Sequence, residues 1–178
     1  CIFFISNTAQ AAFAGGDGST GSPYQIENCT QLQDVENYIS SSFVLNNDIN
    51  CYDTINWNGG AGFSDIGAIY TPYSGIFDGQ HHTINDLYIG SGRIVLFGSI
   101  SGTVRNLGLV NVRVNSPDHS YVGTIVGRLD GAGTLSQVFA TGEVTGISYV
   151  GGIVGWQDGG TMINVYSQAK VGPDVYNG

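Results

Sequence analysis

The sequence offers few residues that could carry out chemistry, and the densest cluster is Asp78-Gly-Gln-His-His82. Its carboxylate and imidazoles are groups that bind metals or act as an acid–base pair. Adjacent His side chains on a strand point to opposite faces, so His81 and His82 could not hold one ion without a bend. Asp78-Gly79 is also a strong turn signal. We interpret the cluster as a structural turn, with a metal site as the alternative.

Hydrolytic chemistry has no matching set of residues either. Glycoside cleavage needs two carboxylates across a cleft, but Asp130 and Asp158 each precede a Gly at the same point of a repeat, which is typical of turn residues. No Ser/His/Asp nucleophile pattern and no phosphate-binding G-x-x-x-x-G-K-[ST] motif occurs. We therefore predict no catalytic residues, no metal ligands and no cofactor in this chain, which we do not expect to be an enzyme. The activity of a longer protein that contains it is left open.

The charge of the chain narrows the choice of partners. Five Lys and Arg residues stand against 14 Asp and Glu, for a formal net charge of -9. Nucleic acids and anionic membranes are bound through clustered basic residues, so neither is an expected partner. No stretch approaches the ~20 apolar residues of a membrane span.

An internal repeat organises the second half of the chain. Ser120-Tyr-Val-Gly-Thr-Ile-Val-Gly127 recurs as Ser148-Tyr-Val-Gly-Gly-Ile-Val-Gly155, and Gly133-Thr-Leu-Ser-Gln-Val-Phe-Ala140 recurs as Gly160-Thr-Met-Ile-Asn-Val-Tyr-Ser167. Such repeats indicate units that bury their apolar faces by stacking on one another. Four units align on a threonine that each contains: Thr83, Thr103, Thr134 and Thr161. Each threonine is preceded by a pair of apolar residues. These pairs are Ile76-Phe77, Leu96-Phe97, Ile125-Val126 and Ile153-Val154.

The pattern within each unit predicts two short strands separated by a Gly-rich bend. β-Branched runs between Gly, Asn, Asp and Ser, without a helical period, are typical of strands and turns. A chain that coils so that each strand pairs in parallel with its copy one turn on is a parallel β-helix. A β-propeller or a β-sandwich is the alternative, but propeller blades need about 40 to 45 residues per repeat, and these units are shorter. The sequence therefore predicts an all-β solenoid.

One polar residue in each unit occupies a position where the chain must bend. The two apolar residues on either side of it are three positions apart, as at Val104 and Leu107. In a straight strand, two residues face the same side only when their spacing is even, so the chain must bend between them for both to face inward. We predict that this residue forms the turn, satisfies backbone groups there and hydrogen bonds to its copy one coil away. The predicted ladder consists of Asp86, Asn106, Gln137 and Asn164.

Three segments, Ser148-Tyr-Val-Gly-Gly-Ile-Val-Gly155, Val95-Leu-Phe-Gly98 and Gly75-Ile-Phe-Asp-Gly-Gln-His-His-Thr-Ile84, resemble the repeats called GLUG motifs. These repeats occur in bacterial and archaeal cell-surface proteins and beside the catalytic part of some immunoglobulin A peptidases. The resemblance covers Tyr24 to Val171 and implies a right-handed parallel β-helix on a secreted or surface-anchored protein, with no catalytic residues in the repeat. The sequence departs from the pattern at Val95 and Thr124, where Gly is expected, and at Ile125 and Ile153, where Leu is expected.

The first residues carry export signals. Cys1-Ile-Phe-Phe-Ile5 is apolar and Ala12-Phe-Ala14 matches a signal-peptidase site, so residues 1–14 are predicted to be the remnant of a secretory signal peptide. A lipidated Cys1 and a first strand of the β-helix are the alternatives. Residues 15–23, rich in Gly and Ser, are predicted to be a flexible lead. Because nothing after Val171 resembles a cap, we expect the single domain of residues 24–178 to belong to a longer protein.

Residues 24–51 are predicted to cap this solenoid, and its regular coils to run through residues 75–178. Thr30-Gln-Leu-Gln33 has the form of a capping box, which predicts a helix over Gln31 to Ile39. In an exported protein, Cys29 and Cys51 are predicted to form a disulfide that closes the cap. Two buried free thiols are the alternative.

Aromatic residues provide the candidate binding surface. Each ladder residue is followed by an apolar residue that is predicted to point inward, so the residue after that points outward. In three of the four units this outward residue is aromatic. The repeated segment that begins at Ser120 and again at Ser148 adds a matched pair of tyrosines. Aromatic files can stack on sugar rings or pack against another protein, although loops or neighbouring coils could also cover them. The candidate residues are Tyr88, Tyr121, Phe139, Tyr149 and Tyr166.

These patterns predict a secreted or surface-displayed module for adhesion or glycan binding, whose partner is a surface glycan or a host or neighbouring protein. The alternative is a non-catalytic region of an exported peptidase or polysaccharide-degrading enzyme. Ice binding by an array of one threonine per unit is a further alternative.

Overall fold

The computed structural model describes residues 13–92 and 94–172, and it confirms a parallel β-solenoid with one short helix. The helical segments are α1 (Cys29–Asp34) and two 3-10 segments, Val35–Asn37 and Tyr52–Gly60. The strands are β1 (Tyr24–Ile26), β2 (Phe43–Leu45), β3 (Ile49–Asn50), β4 (Ile76–Asp78), β5 (Thr83–Asn85), β6 (Tyr88–Ile89), β7 (Phe97–Ile100), β8 (Thr103–Val122), β9 (Val126–Val150) and β10 (Val154–Gly172).

The three longest strands wrap around the solenoid, and each pairs in parallel with its neighbour. Val104 of β8 lies beside Leu135 of β9, which lies beside Met162 of β10. Side-chain hydrogen bonds between neighbouring coils join residues 25 positions apart at Asn111 and Asp86, 31 apart at Asp130 and Ser99, and 36 apart at Asn85 and Ile49. This parallel stacking follows from the repeat, because each unit completes its backbone hydrogen bonding with the next one.

The core fills the inside of the coil and is piled in columns. Phe43, Phe77, Val104 and Leu135 lie in register at one position of successive coils, and all four are fully buried. The chain turns at corners where non-glycine residues have a positive φ, a conformation that Asn tolerates better than most residues. From β5 onward, the non-glycine corner residues are Asp86, Asn106, Asn111, Tyr121, Gln137, Tyr149 and Asn164.

The register corrects the alignment of the first predicted unit. Thr103, Thr134 and Thr161 form one column, but Thr83 lies beside Gly108 at a different corner of the coil. The prediction for Thr83 is wrong because two corners of each coil share the same local pattern of polar and apolar residues. With Thr83 absent, the threonine column that ice binding would need contains three residues in the described chain.

The predicted alignment of the apolar pairs upstream of the threonines is corrected in the same way. Phe97, Val126 and Val154 lie in one column, as predicted. Ile76 and Phe77 instead pair with Thr103 and Val104. Their place beside Phe97 is taken by Ile66, which forms a parallel bridge to it.

The cap contains the predicted helix, but it starts and ends earlier than expected. The structure has α1 over Cys29–Asp34 rather than Gln31 to Ile39, with Asn28 as the N-cap. Asn28 Oδ1 accepts a hydrogen bond from the Gln31 amide at 3.0 Å, and Gln31 Oε1 accepts one from the Glu27 amide at 2.7 Å. Asn is a strong N-cap residue, and the Asn28 side chain caps the helix two residues before the predicted cap at Thr30.

The cap is closed by the predicted disulfide. Cys29 at the start of α1 is bonded to Cys51, which follows β3, with a Cα–Cα distance of 5.3 Å and a sequence separation of 22. Leu32 and Val35 are fully buried beside it. The helix therefore covers the first coil's core, as a solenoid end requires.

Two segments predicted to lie outside the fold pack against it. The Phe13 ring stacks on Tyr24 with centroids 4.6 Å apart and contacts Phe43 at 5.3 Å. Residues 15–23, predicted to be a flexible lead, form a turn in which the Gly18 amide donates to Ser22, and the Gly18 carbonyl accepts from the Ser42 amide. The remaining predicted signal residues, 1–12, lie outside the described residues.

Candidate ligand-binding surface

The Asp78–His82 segment is a turn, as interpreted. Gln80 and His81 have φ of 50° and 67°, and Asp78 Oδ1 accepts a hydrogen bond from the Gln80 amide at 2.9 Å. His82 Nδ1 lies 3.1 Å from Asp48 Oδ1 on the neighbouring coil. Over residues 13–92 and 94–172, no three His, Cys, Asp or Glu side chains cluster in a way that could hold a metal ion.

Three of the four predicted ladder residues share a corner. Asn106, Gln137 and Asn164 have φ of 52° to 53° and are flanked by residues in register. Asp86 belongs to another column, because β5 pairs with Gly108–Val110 and Asn111 Nδ2 donates to Asp86. The inclusion of Asp86 is therefore wrong, for the same reason as the alignment of Thr83.

The bonding predicted for this ladder also differs from the structure. Asn106 Nδ2 donates to Asp78 Oδ1 at 2.9 Å, while its Oδ1 is buried without a hydrogen-bond partner within the described part of the chain. The Asn106 side-chain amide thus donates to a carboxylate of the preceding coil rather than bonding to backbone groups. Burial raises the pKa of Asp78, but hydrogen bonds from Asn106, the Gln80 amide and Arg105 outweigh it and keep the pKa below its usual value.

Phe139 and Tyr166 form an aromatic pair on the outside of the coil. They occupy the same position of β9 and β10, and their rings are stacked with centroids 5.4 Å apart and an angle of 8° between planes. Phe139 is half-buried, and Tyr166 is 56% exposed. Gly108 occupies this position one coil earlier, and the Phe139 ring lies over it: a Cβ on Gly108 would be 2.4 Å from Phe139 Cζ.

Tyr88 does not belong to this pair. It is aligned with Arg113 at another position of the coil, and the Arg113 guanidinium carbon lies 5.6 Å from the centre of its ring. Arg113 Nε lies 3.6 Å from Glu143 on the next coil. The structure therefore separates Tyr88 from Phe139 and Tyr166, with which the alternation pattern had grouped it.

A second aromatic cluster consists of Tyr121, Tyr149 and Trp156. The Tyr121 ring is stacked on Tyr149 and on Trp156 with centroids 5.0 Å apart in each case, and Tyr149 lies 5.8 Å from Trp156. Tyr121 and Tyr149 occupy equivalent corners with φ of 64° and 52°. Tyr149 and Trp156 are 59% and 38% exposed, so the cluster presents aromatic surface to solvent.

Arg128 brings charge to the edge of this cluster. Its Nη2 donates to Asp158 Oδ2 at 2.6 Å, its Nε lies 3.0 Å from Asp130 Oδ1, and its guanidinium carbon lies 5.8 Å from the centre of the Trp156 ring. Ser99 Oγ donates to the other oxygen of Asp130. The hydrogen bond to Asp158, together with the two carboxylate charges, raises the pKa of Arg128, which is charged at any physiological pH.

Asp130 and Asp158 are correctly paired by the repeat, but they are not turn residues. They lie side by side in β9 and β10, and the left-handed backbone begins at Gly159 and Gly160. Their carboxylates hold one guanidinium rather than a scissile bond. This arrangement neutralises Arg128 and fixes it beside Trp156.

Sequence reasoning identified Tyr121 and Tyr149 but missed Trp156 and Arg128. The signal was present, because Arg128 follows Gly127 and Trp156 follows Gly155 at the same point of the two matched segments. A comparison of identical residues does not detect this position, because one segment has an arginine there and the other has a tryptophan.

The fold and this surface define the chain as part of a parallel β-solenoid with exposed aromatic clusters on its outer faces. No family model matches the chain, so the resemblance to GLUG repeats stays a prediction. Within residues 13–92 and 94–172, no helix is long and apolar enough to cross a membrane.

Similar proteins are found among both sequences and structures. Halomucin of Haloquadratum walsbyi is 32% identical over 166 residues, which are 85% of this chain and 2% of that protein. A protein of Evansella cellulosilytica named "Putative Gly-rich membrane protein" is 32% identical over 124 residues, which are 61% of this chain and 14% of that protein. The sequence thus spans a small part of the length of these curated relatives.

A solved structure has the same fold. It is a chain from Bacteroides ovatus named "putative immunoglobulin A1 protease", with a TM-score of 0.74 and 30% sequence identity. The match covers 88% of this chain and 50% of the solved one.

Proposed function

We propose that this chain is a secreted or cell-surface β-solenoid module that binds a glycan or another protein in adhesion and does not catalyse a reaction. The observation that carries the proposal is the exposure of aromatic rings in two clusters on a scaffold whose strands are hydrogen bonded from coil to coil. Aromatic rings held on a rigid surface bind at a low cost in conformational entropy, because little further ordering is needed.

An extracellular location is supported by the disulfide between Cys29 and Cys51. Disulfides persist in oxidising compartments and are rare in the cytosol. The names of the similar proteins, a halomucin, a membrane protein and an immunoglobulin A1 protease, are consistent with such a location. The low content of basic residues argues against nucleic acid as the partner.

An array of immobilised glycans and extracellular proteins, probed with the 178-residue chain, tests the proposal. We expect the wild-type chain to bind at least one component, and the double variants Phe139→Ala/Tyr166→Ala and Tyr149→Ala/Trp156→Ala to identify the aromatic cluster responsible. The matched control is Tyr52→Ala, since Tyr52 is exposed but lies in the 3-10 segment outside both clusters.

Thermal denaturation separates binding from stability in this experiment. We expect the midpoint of unfolding to change less in Tyr149→Ala/Trp156→Ala than in Phe139→Ala/Tyr166→Ala, because Tyr149 and Trp156 are both exposed whereas Phe139 is half-buried. The proposal is contradicted when wild-type protein binds nothing on the array, or when neither aromatic variant binds differently from Tyr52→Ala.

A second function is supported by the Bacteroides ovatus structure. On this alternative the chain is a non-catalytic part of an exported peptidase, and its solenoid positions the substrate for a catalytic region elsewhere. The test compares peptidase activity of the full-length gene product with that of the Tyr149→Ala/Trp156→Ala variant. An accessory role predicts a raised KM with unchanged kcat, whereas full-length protein without peptidase activity contradicts it.

A further inference from the structure

We propose that Tyr149, Trp156, Arg128 and Asp158 form a subsite for an uncharged sugar ring. The inference rests on the proposed binding function and names the class of ligand that this surface would take. Two kinds of surface meet here, an aromatic one and a polar one, and the chemistry of each restricts the ligand.

The aromatic part of the subsite consists of Tyr149 and Trp156. Their ring planes differ by 21°, their centroids are 5.8 Å apart, and both rings are substantially exposed. Two nearly parallel rings at this spacing offer apolar surface on the scale of one sugar ring. The C–H groups of a pyranose can pack on such a surface, as apolar groups do on aromatic side chains.

The polar part consists of the Arg128–Asp158 pair. A guanidinium has five N–H groups. Nη2 of Arg128 donates to Asp158 Oδ2, and Nε lies 3.0 Å from Asp130 Oδ1 without a hydrogen bond between them. The remaining N–H groups are donors, and the Asp158 carboxylate, whose side chain is 50% exposed, is an acceptor. A ligand that fits both must donate and accept hydrogen bonds at neighbouring positions, which adjacent sugar hydroxyls do.

The charges at the subsite disfavour an anionic ligand, and Arg128 already takes the place that a cation would occupy beside Trp156. Asp130 and Asp158 together exceed the charge of Arg128 by one negative charge, and the whole chain has a formal net charge of -9, so a uronate or sulfated glycan is repelled. A cationic ligand would seek the face of Trp156, but the Arg128 guanidinium already lies 5.8 Å from the centre of that ring. The remaining class is the neutral sugar.

Isothermal titration of the 178-residue chain with single oligosaccharides tests the inference. The neutral probes are cellohexaose, xylohexaose, mannohexaose and chitohexaose, and the anionic probe is hexagalacturonate. We expect at least one neutral probe to bind more tightly than hexagalacturonate, with an affinity that sodium chloride does not change, because no ion pair with the ligand is formed.

Substitutions assign the binding to the subsite. Trp156→Ala should weaken binding of the neutral probe about tenfold or more, the loss expected for one aromatic contact. Asp158→Asn should weaken the neutral probe but strengthen hexagalacturonate, because it removes an acceptor and a negative charge. Tyr52→Ala, which alters an exposed aromatic side chain outside both aromatic clusters, should leave both affinities unchanged.

Three results would overturn the inference: no binding of any neutral probe, tighter binding of hexagalacturonate by the wild-type chain, or neutral binding that neither Trp156→Ala nor Asp158→Asn affects. Circular dichroism of each variant ensures that a loss of affinity is not a loss of fold. If the chain binds proteins or anionic glycans on the array but none of the neutral probes, this inference fails while the proposed function stands. If it binds nothing on the array, the proposed function fails as well.

Discussion

At the scale of the residue, the corners of the solenoid depend on side chains that tolerate a left-handed backbone. Asn106 has a φ of 52° and also donates a hydrogen bond to Asp78 of the preceding coil. Replacing it by Leu puts a side chain without a stabilising local hydrogen bond into that backbone and removes a charge-assisted bond. We expect Asn106→Leu to lower the free energy of unfolding by about 1 to 3 kcal/mol, measured by urea denaturation.

A matched variant separates the two causes of this loss. Asn106→Gly keeps the backbone conformation at little steric cost but lacks the amide, so it should be less destabilising than Asn106→Leu. An unchanged denaturation midpoint in Asn106→Leu would contradict a role for this corner.

Gly108 is a second position at which one atom decides the packing. A methyl group there would meet the Phe139 ring at 2.4 Å and the Thr83 methyl at 2.9 Å. Gly108→Ala should therefore displace the ring and lower the free energy of unfolding by roughly 1 to 2 kcal/mol, as overpacking does. In a Phe139→Ala background the same substitution should cost less, and a double-mutant cycle by urea denaturation measures the difference. Equal costs in the two backgrounds would show that the ring does not depend on Gly108.

At the scale of the element, the cap offers a direct comparison between the predicted and the observed helix start. The Asn28 side chain accepts a hydrogen bond from the Gln31 amide, whereas Thr30 lies inside α1. Asn28→Ala should lower the free energy of unfolding by about 1 kcal/mol, and Thr30→Ala should cost less because Ala is favourable within a helix. The reverse order in thermal or urea denaturation would restore Thr30 as the N-cap.

The disulfide is the other device that holds the cap. It closes a loop with a sequence separation of 22, which corresponds to about 3 kcal/mol of restriction on the unfolded chain. We expect Cys29→Ser/Cys51→Ser to be destabilised by about this amount and to match reduced, alkylated wild-type protein. Peptide mapping without reduction should recover the Cys29 and Cys51 peptides as one linked species. Two separate peptides that carry free thiols would exclude the bond.

At the scale of the whole molecule, the stacking of coils predicts how stability is distributed. β8 and β9 each pair with strands on both sides, whereas β10 pairs with β9 among the described residues. In a solenoid each coil is stabilised by its neighbours, so backbone amides in β8 and β9 of the 178-residue chain should exchange with deuterium more slowly than those in β10. Mass spectrometry of protected peptides measures this order. Equal protection of all three strands would indicate a single cooperative unit without the expected gradient.

The fold could be predicted because its signal is local and repeated. The segments Ser120–Gly127 and Ser148–Gly155 are nearly identical, and Ser120 and Ser148 lie side by side in the structure. The disulfide could also be predicted, since the predicted export signal makes a bridge the expected use of two thiols close in sequence. The site was predicted in part: Tyr121 and Tyr149 were identified from their repeat, whereas Trp156 and Arg128 are different residues at one position and gave no identical pattern.

The sequence by itself determined that this chain stacks copies of one unit in parallel, with apolar residues inside and a polar residue at the corner that contains Asn106, Gln137 and Asn164, because each of these units contains that pattern within a few residues. Only the tertiary structure decided which corner residues of successive coils lie in the same column. Asp86 and Asn106 are each followed by Leu and lie in the same pattern of apolar residues, but the backbone ladder places Asp86 beside Asn111 and leaves Asn106 to bond with Asp78. The contact of Arg128 with Asp158 and Trp156 was decided in the same way, because these residues meet only after a full coil has closed. The hydrophobic pattern helps to set register, but where two corners of a coil share that pattern, as at Asp86 and Asn106, only the hydrogen-bonded backbone of the whole coil distinguishes them.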